Sequence, residues 1–186
     1  MGTLSLERTQ RLLWLGRYME RSVTTLKFIL VTYDRALDPV EGNWKGQLEE
    51  LGFDNDNDDP WEFFHECLFS RTLPSSVYCS LSAACGNAMV LRDVIGTESA
   101  AYVQMAFNEL ELAEVSDAPL LDLQQVIDMI MAFKGSCDDF ITNDAARNIV
   151  KCGISIERMD LYARLNYRLD DVRRETQKLA TRIDRT

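Results

Sequence analysis

The chain has 186 residues, 46% hydrophobic and 27% charged, which fits one globular domain able to bury a core without disulfide or metal staples. Its formal charge of −10 argues against nucleic acid or an anionic membrane as a partner. Only 9 Gly and 4 Pro punctuate it, favouring long helices over a many-turned β fold, and no apolar run is long enough to span a bilayer.

The first helix is expected from about Leu4 to Ala36, with Leu12, Leu15, Met19, Ser22, Leu26, Ile29 and Tyr33 on its seam and Pro39 beyond its end. Gly16 inside it costs roughly 1 kcal/mol relative to alanine, so its presence suits a close helix crossing. Residues 40–60 are the least regular stretch, with a short helix around Trp44 to Leu51, the acidic run Asp54 to Asp59, and another helix from Trp61 to Phe69. Ser75 or Ser76 caps a helix from about Val77 to Val94, rich in small residues and ending near Gly96. Thr97 or Glu98 opens the next, towards Glu114. Pro119 sits in the first turn of a fifth, whose buried side is Leu120, Leu123, Val126, Ile127, Ile130 and Phe133. Asn143 or Asp144 caps a last helix expected to continue unbroken to Ile183, its seam drifting to Leu169, Val172, Leu179 and Ile183. The expectation is a single all-α domain over residues 1–186, a bundle of about six helices with long first and last members.

Leu12 to Ile29 returns in weaker form as Ile149 to Asn166. Gly16 falls on Gly153, Glu20 on Glu157 and Arg21 on Arg158, at a constant offset of 137 residues (153 − 16), and the apolar seam falls on itself. Each copy places a Glu-Arg pair beside the apolar stripe of a long helix. Arg17, one turn from Glu20 and Arg21, and a further charged group of Arg92, Asp93 and Glu98 complete the candidate site. Two readings stand. These are surface ion pairs, each contributing a few tenths of a kcal/mol, or they converge, the arginine forks gripping a carboxylate or phosphate and the glutamates orienting them or receiving an amine.

Other motifs are incomplete. Asp54-x-Asp56-x-Asp58 starts like a calcium loop, but Asp59 stands where the turn needs glycine. Glu62-x-x-His65 is half of a di-iron signature in a chain with one histidine. A nucleophile elbow, a phosphate-binding glycine loop and a zinc ligand set are missing, so no metal or cofactor is expected. Cys67, Cys79, Cys85, Cys137 and Cys152 contain no C-x-x-C, and no basic-then-apolar leader opens the chain; both suggest a cytoplasmic protein with reduced thiols. The arginine-rich tail from Arg158 to Arg185 reads as a solvated helix face or as a docking helix for an acidic partner or a second copy.

Trp14 to Ile29, Ser80 to Asp93 and Ala146 to Leu165 together resemble the alpha-E domain family, in its WLGRYLER-like first helix, its central segment ending in Arg-Asp and its returning Leu-Glu-Arg helix. The matching motif residues are Gly16, Arg17, Glu20, Arg21, Arg92, Asp93, Gly153, Glu157 and Arg158, and Ile154 departs from the pattern where the family has arginine. The chain reads as a short version of the family. The resemblance implies an all-α bacterial domain with no established activity, found beside ATP-grasp amidoligases and transglutaminase-like proteins. Its implied role is an accessory in making or processing a small peptide, binding a peptide, an amino acid or its enzyme partner. Two other readings of the same residues are an enzyme using the glutamates for acid-base or metal-assisted chemistry, and a structural module for homo-oligomerisation.

Overall fold

The computed structural model describes residues 4–37, 44–53, 58–165 and 169–183. Among them lie nine helical segments and no strand: α1 (Leu6–Ala36), α2 (Lys45–Glu49), α3 (Pro60–Phe69), α4 (Val77–Val90), α5 (Arg92–Ile95), α6 (Thr97–Glu114), α7 (Pro119–Phe140), α8 (Asp144–Arg164) and α9 (Leu169–Ile183). The fold is all-α, with more segments than the six or so expected. The single turns α2 and α5 account for part of the excess. A break in the last helix accounts for the rest.

Local chemistry sets the helix starts. Ser5, Asp59, Ser76 and Asn143 each accept a hydrogen bond from the backbone N–H three residues on, at 3.3, 3.0, 3.0 and 3.0 Å, a contact worth about 1 kcal/mol apiece. Pro60 and Pro119 occupy first-turn positions that need no donor. Gly96, at φ 83°, makes the sharp passage from α5 to α6.

The seam residues Leu12, Leu15, Met19, Leu26 and Ile29 of α1 are fully buried and join one continuous apolar cluster. The most extensive contact of α1 is with α8, and the next is with α4. Helices α4 and α6 run antiparallel, as Cys85 against Val103 and Tyr78 against Phe107 require. So do α6 and α7, linked by four residues and pinned by Ser136 on Ser99. Among the described residues no helix is long and apolar enough to cross a membrane.

The expected unbroken last helix is corrected: α8 ends at Arg164 and α9 turns back antiparallel along it, bringing Thr176 to Met159 and Arg182 to Lys151 and Ser155. The shift of the apolar seam past Leu165 is a change of direction rather than a drift. Folding back brings Glu175 of α9 against the bundle, while Leu169 and Ile183 at the ends of its seam stay exposed.

Candidate functional site: a double Glu-Arg clasp

Helices α1 and α8 run side by side in the same direction, in the register of the sequence repeat. A Cβ added to Gly16 would land on the carbonyl oxygen of Val150, and one added to Gly153 would land on that of Leu13. Val150 is the counterpart of Leu13 at the 137-residue offset, so the crossing is reciprocal: each helix closes on the other at its own glycine. One turn further along, the Glu-Arg pairs meet the same way.

Glu157 on α8 is 1% exposed in its side chain and accepts from Arg21 Nε at 2.6 Å and Arg17 Nε at 2.7 Å. Glu20 on α1 is 3% exposed and accepts from Arg158 Nε at 2.7 Å and Nη2 at 2.9 Å. Each glutamate is thus gripped by the arginine of the opposite copy. Arg17 has no counterpart in α8, because Ile154 stands there. Glu20 receives its second cation from elsewhere: Lys134 on α7 donates to Oε2 at 2.5 Å. Thr24 adds a hydrogen bond at 3.2 Å. Outside the clasp, Arg17 lies over the Trp14 ring, 4.4 Å from its centroid.

Burying a carboxylate costs several kcal/mol unless charged donors offset it. Burial pushes the Glu20 carboxyl up, but the hydrogen bonds from Arg158, with Lys134 beside it, hold it below the usual carboxylate range. Burial opposes the Arg158 charge too, and its bonds to Glu20 drive it above the ordinary guanidinium value. Lys134 goes the other way: burial lowers it against the pull of Glu20, helped by the nearby charges of Arg158 and Lys27. That face of the clasp carries surplus positive charge. From α9, Glu175 comes within 3.4 Å of Arg158 Nη1, while its other oxygen accepts from Lys178 at 2.6 Å.

Five of the eight residues singled out from sequence, Arg17, Glu20, Arg21, Glu157 and Arg158, come together here. Arg92, Asp93 and Glu98 do not. All three are exposed at the α5–α6 junction, where Arg92 reaches Thr97 at 3.4 Å and Asp93 pairs with Arg8 at 2.9 Å. Arg8 is twelve residues before Glu20, roughly 18 Å along α1 at 1.5 Å per residue. The expected third contribution to the cluster is therefore corrected: the short α5 turns these residues outward at the far end of α1. Of the acidic run, positions 54–57 lie outside the described residues; Asp58 pairs with Lys45 at 3.0 Å and Asp59 caps α3. His65 packs between Trp61 and Phe69. None of the five cysteines is in a disulfide.

A family of helical domains, described as predicted alpha-helical with a conserved ER motif, matches residues 8–183. The chain belongs to the Alpha-E family. In this member the dipeptide occurs at Glu20-Arg21 and Glu157-Arg158, where it forms the clasp, and also at Glu7-Arg8, which lies exposed near the start of α1. No curated protein and no solved structure matches the chain. Two site residues escaped sequence reasoning, and both carry a visible signal. Lys134 falls on the α7 apolar stripe, four residues after Ile130 and seven after Ile127, and Glu175 falls between Val172 and Leu179 on the α9 seam. A charge on the apolar period marks a partner waiting inside.

Two clefts open beside the clasp. On the α7 side a cleft of about 400 Å³ is lined by Lys27, Arg35, Lys134 and Arg158, with Glu20 the one carboxylate among the described lining residues and Phe28, Met131 and Tyr162 among its less polar walls. On the other side a cleft of about 250 Å³ is lined by Arg21, Thr25, Glu157, Asp160 and Arg164, with Leu51, Pro74, Ser75 and Leu161.

Proposed function

We propose that this Alpha-E domain is a binding component, an accessory in a peptide amidoligase system of the ATP-grasp kind, and that it takes the carboxylate end of a peptide or amino acid in the α7-side cleft. One observation carries the reading: among the described residues lining the cleft, four cationic side chains face one carboxylate, in a chain whose net charge is −10. Charge-assisted bonds from guanidinium and ammonium groups are the chemistry that recognises a carboxylate, and Phe28, Met131 and Tyr162 offer the less polar contacts a ligand-binding cleft needs. Binding is favoured over catalysis because both Glu20 oxygens are occupied by cations and its proton affinity is lowered. A general acid or base at neutral pH needs the opposite shift. The amidoligase setting rests on the sequence resemblance, and the cleft supplies the ligand chemistry.

Thermal stability tests this with a short peptide as its free acid and as its C-terminal amide. The acid should raise the melting temperature by mass action, less so as salt rises, and the amide should not. Lys27 is exposed on the cleft wall, so Lys27→Gln should fold normally and lose the shift. Equal shifts with acid and amide, or a full shift in Lys27→Gln, would place binding elsewhere.

A further inference from the structure

The two clefts are counterparts. Six positions lining the α7-side cleft fall, at the 137-residue offset, on six positions lining the other: among them Glu20 on Glu157, Arg158 on Arg21, and Lys27 on Arg164. The pairing of α1 with α8 therefore builds one binding geometry twice, on opposite faces of the pair. Their chemistry has diverged. In the first cleft Lys134 and Arg35 add positive charge; in the second, Asp160 stands where the first has Val23, and Leu51, Pro74 and Ser75 replace the extra cations.

Among its described lining residues the second cleft is consequently balanced, two cations against two carboxylates, and its charges are arranged by availability. Glu157 is committed to Arg17 and Arg21. Arg21 spends Nε on that bond, and among the described residues its Nη atoms have no hydrogen-bond partner. Asp160 and Arg164 form a loose pair at 3.2 Å with side chains 39% and 51% exposed, which a ligand can enter at little cost. The hydroxyl of Ser75 donates to the Gly52 carbonyl at 2.8 Å and keeps its own oxygen as an acceptor. Leu51, Leu161 and Pro74 supply an apolar wall. At about 250 Å³ the space lies below the roughly 300–1,000 Å³ typical of drug-sized ligands.

We infer that this second cleft is a binding site for a free zwitterionic α-amino acid. Its carboxylate lies on Arg21 and Arg164, its ammonium on Asp160 with Ser75 in reach, and its side chain along Leu51, Pro74 and Leu161. The site is separate from the one under Proposed function and stands whether or not that one binds a peptide.

The test uses the full chain and backbone amide NMR titration with glycine, L-leucine and L-glutamine, set against N-acetyl-leucine and leucine amide. Shifts should appear at Ser75 and at residues 160–164 with at least one free amino acid. N-acetyl-leucine, lacking the ammonium, and leucine amide, lacking the carboxylate, should bind at least about ten-fold more weakly than that amino acid. Asp160→Asn and Arg164→Gln alter exposed or half-exposed groups and should each weaken it at least about ten-fold, with melting temperatures near wild type. Lys27→Gln should leave it intact. Silence with all three amino acids, equal binding of the blocked forms, or loss in Lys27→Gln in place of Arg164→Gln would overturn the proposal. Failure of the α7-side cleft reads out separately, through the peptide acid and Lys27→Gln.

Discussion

The clasp turns on single charges. Lys134 compensates on Glu20 for the arginine that α8 lacks at Ile154, so Lys134→Met should leave a buried carboxylate short of one cation and lower stability by about 3 kcal/mol, read from denaturant unfolding. The reciprocal register also indicates a repair. Arg17 reaches Glu157 across the pair, so an arginine at 154 is placed to reach Glu20, and Ile154→Arg in the Lys134→Met background should restore much of the loss. A double variant no more stable than Lys134→Met would show that the two halves of the clasp are not interchangeable. Acid should act through the same carboxylate. Glu20 has its pKa lowered by folding, so its stabilisation is complete above its unfolded value and is lost as pH falls through the lower folded one. Melting temperature should therefore drop below the ordinary carboxylate range, and Glu20→Gln, destabilised at neutral pH, should show a shallower acid slope.

At the scale of the helix, contact between α1 and α8 depends on two positions without side chains. Gly16→Ala and Gly153→Ala each drive a methyl group into the backbone carbonyl of the partner helix, which cannot yield as a side chain tip would. Each should cost about 1–3 kcal/mol or more by overpacking. Gly86→Ala and Gly135→Ala, in open space on α4 and α7, should instead be neutral or stabilising by a few tenths of a kcal/mol or more. The opposite ranking in thermal melts would contradict the close crossing. Helix α9 presents the contrary case. Its one buried residue is Glu175, a charge, and its other contacts to α8 are mostly polar or partly exposed. An element that buries so little apolar surface sits at the low end of local stability. Amide hydrogen exchange at residues 169–183 should outpace that of α1 and α8 at neutral pH. Its protection relative to the intrinsic exchange rate should fall further in acid, because burial is outweighed in Glu175 by Lys178 and Arg158, which hold its carboxyl low and lose their hold when it protonates. Protection of α9 equal to that of α8 would refute the weak attachment.

Across the whole molecule, the legible features were those with a local cause. Caps at Ser76 and Asn143, first-turn prolines and the α1 seam follow from residues within a turn or two of each other, and the repeat around Gly16 and Gly153 showed in register that two helices share one design. The reversal between α8 and α9 left no such mark, for the chain carries neither glycine nor proline after Gly153. Exposure of Arg92, Asp93 and Glu98 was hidden for a similar reason: their apolar neighbours suggested burial, while the single-turn α5 decides which way they point. Partnership across helices, such as Lys134 with Glu20, is a property of the assembled bundle.

The distance in sequence between Glu20 and Arg158, 138 residues, sets the order in which the protein can be completed. At roughly 5–20 residues per second, α1 leaves the ribosome on the order of ten seconds before its partner exists. Through that interval its carboxylate lacks its arginine and its glycine face lies uncovered. Joining the two helices closes a loop whose length-dependent entropy is about 4 kcal/mol, so α1 can pack on α4 early but meets α8 only at the end. Once joined, α1 and α8 bracket the helices synthesised between them.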